Sequence, residues 1–229
     1  MTTKLGVLLY KNVQPMDVIG PWEVFSFWNK ILETPIEMFF ISEKDAYVEC
    51  DDNVILKAHY NFAEAPQADY FIVPGGVGRV EQANNPTLIQ FIQQQAQHCK
   101  YLISICTGMF LLLKAGLLSG KNITTYWRAI PELKNFSDTH LVEERIVKNG
   151  NIWMSGGVTS GIDLALELIA EVSGKTAAGQ VQLLCEYFPR DVLFATPDMI
   201  NSLPTYSTAS QAKPYLPQYI KDYMGRKKN

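Results

Sequence analysis

The sequence predicts an α/β protein in which helices cover both faces of a mainly parallel sheet, a three-layer α/β/α sandwich. Three short apolar runs, residues 5–10, 70–73 and 101–105, have the continuous hydrophobicity of strands that are buried on both faces. Segments with helical periodicity follow these runs, and alternating strands and helices are typical of parallel sheets. The chain has 229 residues, 47% of them hydrophobic, which is enough to bury such a core.

The remaining elements are predicted from periodicity and from turn residues. In the first half we expect a loop at 12–16, a helix opened by Gly20-Pro21 and running through residue 28, a strand at 36–42, and one or two short strands within 48–60. In the second half we expect helices at 86–99, 107–114, 159–172 and 176–188, a strand at 123–125, and a hairpin of 144–148 with 152–154 around Asn149-Gly150. Residues 189–229 contain five prolines and should be mostly irregular.

Composition and charge exclude several classes of function. The chain carries 20 Lys and Arg against 23 Asp and Glu, a net charge of -3, so a broad basic surface for nucleic acid is not expected. The basic run at 226–228 is interpreted as a solvated tail. No segment has the pattern of a signal peptide or a membrane span, which predicts a cytoplasmic protein without membrane contact.

The four cysteines, at positions 50, 99, 106 and 185, form neither a C-x-x-C pair nor a zinc-type pattern with histidine. In a reducing compartment they also predict no disulfide framework. Each cysteine is therefore judged by its own surroundings.

Cys106 lies between a buried strand and a helix, in the segment Ser104-Ile105-Cys106-Thr107-Gly108. A sharp turn of this kind holds the nucleophile of many hydrolases, and the N-terminus of the following helix would lower the pKa of the thiol and favour the reactive thiolate. The alternative is a buried, unreactive cysteine at a strand end, which is a common role for this residue.

Two further segments follow predicted strands and should reach the same edge of the sheet, where ligands bind in open α/β folds. Asp17 comes after the first strand and is either a first-turn acid of a helix or a general acid/base with a pKa raised by burial. Gly75-Gly76 follows the strand at 70–73 and is either a plain turn or a source of N–H groups for a developing anion, together with the Thr107 amide.

Taken together, these segments resemble the ThiJ/PfpI superfamily, and within it the isonitrile hydratase branch. The segments that carry the resemblance are 17–21, Ile72-Val73-Pro74-Gly75-Gly76, Ser104-Ile105-Cys106-Thr107-Gly108, 115–121, 144–147, and Gly156-Gly157-Val158-Thr159-Ser160-Gly161-Ile162-Asp163. The similarity spans about residues 4–188, so we expect a ThiJ/PfpI-like domain at 1–188. A proline-containing C-terminal extension at 189–229 would then be packed on that domain or partly disordered. In one difference from the pattern, Tyr126 follows Thr124-Thr125 where many relatives have histidine.

The resemblance implies a class I glutamine amidotransferase-like fold with a flavodoxin-like central sheet. It also implies a homodimer without metal or organic cofactor that acts on a small electrophile. Cys106 would be the nucleophile, Asp17 the acid/base and Thr107 a supporting group. The implied reaction is that of a hydro-lyase, the addition of water to an isonitrile to give an N-substituted formamide. Two alternatives stay open: a glyoxalase- or deglycase-like activity, and a non-catalytic redox or ligand sensor that uses Cys106.

Overall fold

A seven-stranded sheet lies at the centre of the structure, a computed structural model that describes residues 2–189, 194–204, 206 and 215–225, with only the backbone of residues 134 and 135. In chain order the strands are β1 (Lys4–Leu8), β2 (Glu37–Ser42), β3 (Tyr47–Glu49), β4 (Ile55–Lys57), β5 (Tyr60–Asn61), β6 (Tyr70–Val73), β7 (Tyr101–Ile105), β8 (Asn122–Ile123), β9 (His140–Leu141), β10 (Ile146–Asn149) and β11 (Ile152–Ser155). The α-helices are α1 (Pro15–Ile31), α2 (Arg79–Gln82), α3 (Pro86–His98), α4 (Met109–Lys114), α5 (Ser160–Leu184) and α6 (Gln218–Gly225).

The strand order of the main sheet is β5-β2-β1-β6-β7-β11-β10, and all its pairs are parallel except the β10–β11 hairpin. Helix α1 packs against α5, and α4 packs against α2 and α3. These helices form the outer layers of the predicted sandwich, and the central order is that of a flavodoxin-like sheet. Among the described residues, none of the helices combines the length and the apolar character needed to cross a membrane.

The arrangement of the sheet positions the site. Strands β1, β6 and β7 are adjacent and parallel, so their carboxyl ends meet at one edge. The loop into α1, the Gly75-Gly76 turn and Cys106 follow these three ends. The predicted convergence of the three segments is therefore confirmed.

Several predicted boundaries are wrong. Helix α1 begins at Pro15 and not at Gly20, because Pro15 occupies its first turn, where its fixed φ suits the helix; Pro21 lies inside it. The helix predicted from residue 107 is a 3-10 turn, Cys106–Gly108, followed by α4. The strand predicted at 123–125 is Asn122–Ile123, which pairs with β9.

The prediction for the chain end is also partly wrong. Helix α6 forms after Pro217, and a 3-10 helix spans Pro197–Ser202, in a segment expected to be mostly irregular. The predicted break near residue 174 is confirmed, because Gly174 leaves the helical region within α5 (φ +85°). The basic run at 226–228 lies outside the described residues.

Candidate active site

Cys106 sits on a strained, tightly anchored turn. Its φ is +57°, a left-handed conformation that is uncommon for a residue with a side chain. Its N–H donates to the Gly156 carbonyl (2.9 Å), and its carbonyl accepts from Thr125 Oγ1 (2.9 Å). A Cβ on Gly108 would lie 2.1 Å from the Val73 oxygen, so only glycine fits there. The turn has the geometry of a nucleophile elbow.

Asp17 lies in the first turn of α1 and is wholly buried. Its Oδ2 accepts a hydrogen bond from the Gly75 N–H (3.0 Å). Burial raises the pKa of the carboxyl to about 7, although hydrogen bonding from Gly75, the Cys106 thiol and the Val158 N–H opposes this. Among the described residues, the other carboxyl oxygen, Oδ1, has no partner at normal hydrogen-bond geometry, so it can accept a further hydrogen bond.

Burial also raises the pKa of the Cys106 thiol well above its ordinary value, and the neighbouring Asp17 charge raises it further. Hydrogen bonds from the Val158 and Thr107 N–H groups lower this pKa, but by less than burial and the Asp17 charge raise it. The expectation of a thiolate favoured by the helix N-terminus is therefore wrong for this closed site. Helix α4 has only six residues and begins beyond the turn, so its dipole cannot offset the desolvation of the sulfur. A neutral thiol therefore faces the Asp17 carboxyl.

Gly75, Gly76 and Thr107 interlock beside the thiol. The Gly76 N–H donates to Thr107 Oγ1 (3.1 Å), and Gly76 itself has φ +136°. A Cβ on Gly75 would lie 2.5 Å from the Thr107 nitrogen and 2.9 Å from Asp17 Oδ2. The Gly75 and Gly76 N–H groups are thus already bonded, to Asp17 and Thr107, while the Thr107 N–H faces the sulfur. All five predicted site residues lie together, and their roles stay predictions.

Sequence reasoning missed Val158. Its φ is +48°, a rare conformation for a β-branched residue, and its N–H interacts with both the Cys106 thiol and the Asp17 carboxyl. The residue follows Gly156-Gly157 after β11, and that glycine pair was a signal that the backbone approaches the site closely.

Four tyrosines that sequence reasoning did not place in the site also surround the thiol: Tyr10, Tyr126, Tyr206 and Tyr219. Burial raises the pKa of each phenol, and the charge that Cys106 carries once its thiol ionises contributes to the increase in all four. The Tyr10 hydroxyl donates to the Pro74 carbonyl (2.8 Å). Cys106 is only 5% exposed in this enclosure, and Asp17 and Thr107 are fully buried. The thiol and the carboxyl are thus held away from bulk water.

A buried ion pair lies at the edge of the tyrosine enclosure. The Arg79 guanidinium pairs with Glu132 (2.5 Å) and lies 4.0 Å from the centroid of the Phe110 ring. Its charge lowers the pKa of both Tyr10 and Tyr206, although burial raises each of them more. Among the described residues, no group of three His, Cys, Asp or Glu side chains is arranged to hold a metal ion.

A thiol on an elbow at the carboxyl edge of a parallel sheet, with a buried carboxyl beside it, defines a cysteine-centred protein of the α/β sandwich class. Comparison with known protein families gives this class a name. Residues 3–171 match the DJ-1/PfpI family, and the chain belongs to that family.

Individual relatives agree with this assignment. The chain is 36% identical to an isonitrile hydratase of Pseudomonas putida over 82% of its own length and 80% of the relative's. It is 28% identical to the HTH-type transcriptional regulator GbdR of Pseudomonas aeruginosa over 80% of its length, which is 50% of that longer protein. A ThiJ/PfpI family protein from Pseudomonas syringae has a similar structure, with a TM-score of 0.78 and 26% identity over 85% of this chain and 79% of that one.

Proposed function

We propose that the protein is a cysteine-dependent isonitrile hydratase, a hydro-lyase that adds water to R–N≡C and releases an N-substituted formamide. The observation that carries the proposal is the pair of Cys106 and Asp17: a neutral thiol beside a buried carboxyl whose pKa is about 7. Such a pair can give and take one proton near neutral pH. The similarity to the Pseudomonas putida isonitrile hydratase supports the choice of substrate class.

The first step joins the sulfur to the isonitrile. The Cys106 Sγ bonds to the terminal carbon while the thiol proton passes through Asp17 to that same carbon. The product is a thioimidate, R–N=CH–S–Cys106, which contains every atom of the two reactants. Covalent attachment divides one difficult hydration into easier steps.

The second step adds water. Asp17 accepts a proton from the attacking water and delivers it to the substrate nitrogen, giving R–NH–CH(OH)–S–Cys106. The carbon–sulfur bond then breaks, the hydroxyl proton returns to the sulfur through Asp17, and R–NH–CHO leaves. The N–H groups of Thr107 and Val158, which face the sulfur, stabilise negative charge there as it forms and departs.

In this proposal Thr107 supports the site by holding the Gly76 N–H through its hydroxyl. Gly75 orients the Asp17 carboxyl through its N–H. The Gly76 N–H can donate to a developing oxyanion only after it has released its bond to Thr107. As the resemblance implies, we also propose a cytoplasmic homodimer. Size-exclusion chromatography with light scattering tests the dimer.

The experiment that tests the function compares wild type with Cys106→Ala and Asp17→Ala. Each protein is incubated with cyclohexyl isocyanide and, separately, with methylglyoxal. Formamide production by wild type that is lost in both variants supports the hydratase. Turnover of methylglyoxal alone would transfer the assignment to a glyoxalase-like enzyme. Neither activity, with selective peroxide oxidation of Cys106, would favour a sensor.

A further inference from the structure

Described residues near the C-terminus contact the elbow that carries Cys106. We define the C-terminal segment as the described residues 194–204, 206 and 215–225. Within it, the Tyr206 ring packs edge-to-face on Tyr126, with centroids 5.2 Å apart and planes at 78°. The Tyr206 hydroxyl is hydrogen-bonded to the side chain of Thr107, the residue next to Cys106. The pair of rings is therefore linked through Thr107 to the elbow that carries the sulfur.

Two contacts with the body of the protein hold Tyr206 there. The Arg128 guanidinium lies 5.5 Å from the centroid of the Tyr206 ring, a cation–π distance. The same guanidinium donates a hydrogen bond to the Pro204 carbonyl, two residues before Tyr206. Arg128 thus ties both the ring and its backbone to the segment that carries Tyr126.

Helix α6 provides a second attachment. The Gln218 N–H donates to Glu143 Oε2 (2.5 Å). The next residue, Tyr219, is half-buried, and its hydroxyl approaches Gly156 so closely that a Cβ there would lie 3.3 Å from it. Gly156 is the residue whose carbonyl accepts from the Cys106 N–H. The C-terminal segment therefore touches the elbow from two sides.

The C-terminal segment lies outside the part of the chain that matches the family, which ends at residue 171. It nevertheless contributes Tyr206 and Tyr219 to the surroundings of a thiol that is only 5% exposed. The segment therefore lies beyond the part of the chain that matches the family and contributes side chains near the sulfur.

We propose that Tyr206 and Tyr126 form a substrate-selecting wall, which contacts the non-reacting group of the substrate and which must separate to admit it. This inference rests on the proposed function and deepens it. Aromatic side chains offer a large apolar contact area, and a cycloalkyl or aryl group has more apolar surface to bury against them than a short alkyl group. The protein therefore selects isonitriles with a cycloalkyl or aryl substituent over isonitriles with a short alkyl substituent.

The first test measures kcat/KM for cyclohexyl isocyanide and for ethyl isocyanide. Tyr206→Ala should lower the value for cyclohexyl isocyanide about tenfold and the value for ethyl isocyanide less than about twofold, the scale on which an apolar pocket discriminates. Tyr206→Phe keeps the ring and should keep the ratio between the two substrates. The control is Tyr47→Ala, on the exposed β3 strand, which should change neither value. Equal losses for both substrates in Tyr206→Ala would overturn the wall.

The second test does not depend on isonitrile turnover. Alkylation of Cys106 by iodoacetamide is followed by mass spectrometry of the Cys106 peptide. It should become about tenfold faster in Tyr206→Ala and in Arg128→Ala, and stay unchanged in Tyr47→Ala. Arg128→Ala keeps both tyrosines in the chain but removes the contacts that hold Tyr206 against the elbow. It serves if Tyr206→Ala fails to fold, which circular dichroism reports.

The two tests separate this proposal from the function beneath it. An unchanged rate of Cys106 alkylation in both folded variants would overturn the proposed substrate-selecting wall even if the wild type is a hydratase. Faster alkylation without any isonitrile turnover by wild type would overturn the hydratase and leave the position of the wall over Cys106 supported.

Discussion

The Gly75 N–H donates to Asp17 Oδ2 at 3.0 Å, and this bond holds a fully buried carboxyl without neutralising it. Gly75 provides a neutral backbone donor, and the other groups that lower the Asp17 pKa are also neutral donors, the Cys106 thiol and the Val158 N–H. Since no cation is among them, desolvation prevails and the carboxyl titrates at about pH 7. Two measurable consequences follow, one for activity and one for stability.

For activity, kcat/KM with cyclohexyl isocyanide should rise with pH through about 7. Below that pH, Asp17 already carries a proton and cannot take one from the thiol. Asp17→Asn should lose between about 100-fold and 10,000-fold in kcat/KM, the range for removal of a general acid/base. Asp138→Asn, an exposed acid, is the control and should keep the wild-type profile. A flat wild-type profile from pH 5.5 to 8.5 would contradict the role of Asp17.

For stability, the same pKa shift predicts that the charge of Asp17 lowers the free energy of unfolding to an extent that depends on pH. The unfolded carboxyl titrates near 3.8 and the folded one near 7, so between these values the folded state holds the proton more tightly. The free energy of unfolding should therefore fall as pH rises from about 4 to about 7, by about 4 kcal/mol from this group.

Asp17→Asn should remove that dependence, since an amide does not titrate. The variant should be more stable than wild type at pH 8 and close to it at pH 4. Urea unfolding of both proteins over this range is the measurement. A stability difference that is constant with pH would show that the buried carboxyl is not the source.

The elbow itself predicts a contrast between two glycines. Gly108→Ala should destabilise the protein by about 2 kcal/mol or more, because the new Cβ would lie 2.1 Å from the rigid Val73 carbonyl. Gly179→Ala, in α5 with open space around it, should instead stabilise by about 0.5–1 kcal/mol, since alanine favours the helix. Denaturant midpoints decide the matter, and equal effects of the two substitutions would show that the turn at Gly108 can relax.

The strands of the main sheet were predictable because their physical signal is local. Residues 70–73 and 101–105 are apolar on both faces, and β6 and β7 have those bounds. The beginning of α1 was less predictable, because Pro15 and Pro21 both suit a first helical turn and the sequence does not say which of them occupies it. Helix α6 was not predicted, because the prolines near it indicated irregular structure, although Pro217 directly precedes the helix.

The candidate site also has a part that the sequence predicts and a part that it does not. Cys106, Asp17 and Gly75 each follow a strand, so topology alone brings them to one edge. Tyr206 and Val158 come from segments far from Cys106 in sequence, and their contacts depend on loop paths that no periodicity encodes. The thiol pKa was mispredicted for a related reason: the sequence shows the helix that follows Cys106 but not how deeply the sulfur is buried.

Gly157 makes the position of Tyr126 testable. A Cβ on Gly157 would lie 2.3 Å from Tyr126 Cδ2, so Gly157→Ala should push the ring away from the site. We expect kcat/KM for cyclohexyl isocyanide to fall at least about tenfold. In a Tyr126→Ala background the same substitution should have little further effect, because the ring it displaces is gone. Additive losses in the double variant would show that Gly157 acts on something other than Tyr126.

Two substitutions at Thr107 separate the contribution of its hydroxyl from that of the shape of its side chain. Thr107→Val keeps the volume but removes the oxygen that accepts from the buried Gly76 N–H at 3.1 Å, which should cost about 1–3 kcal/mol for an unsatisfied donor. Thr107→Ser keeps that oxygen and should retain kcat/KM within about threefold, whereas the valine variant should lose more than about tenfold. Urea unfolding and turnover of cyclohexyl isocyanide are measured on both variants. If valine is tolerated as well as serine, Thr107 contributes its methyl group and backbone rather than its hydroxyl, and the link from Gly76 through Thr107 to the Tyr206 phenol has no part in the reaction.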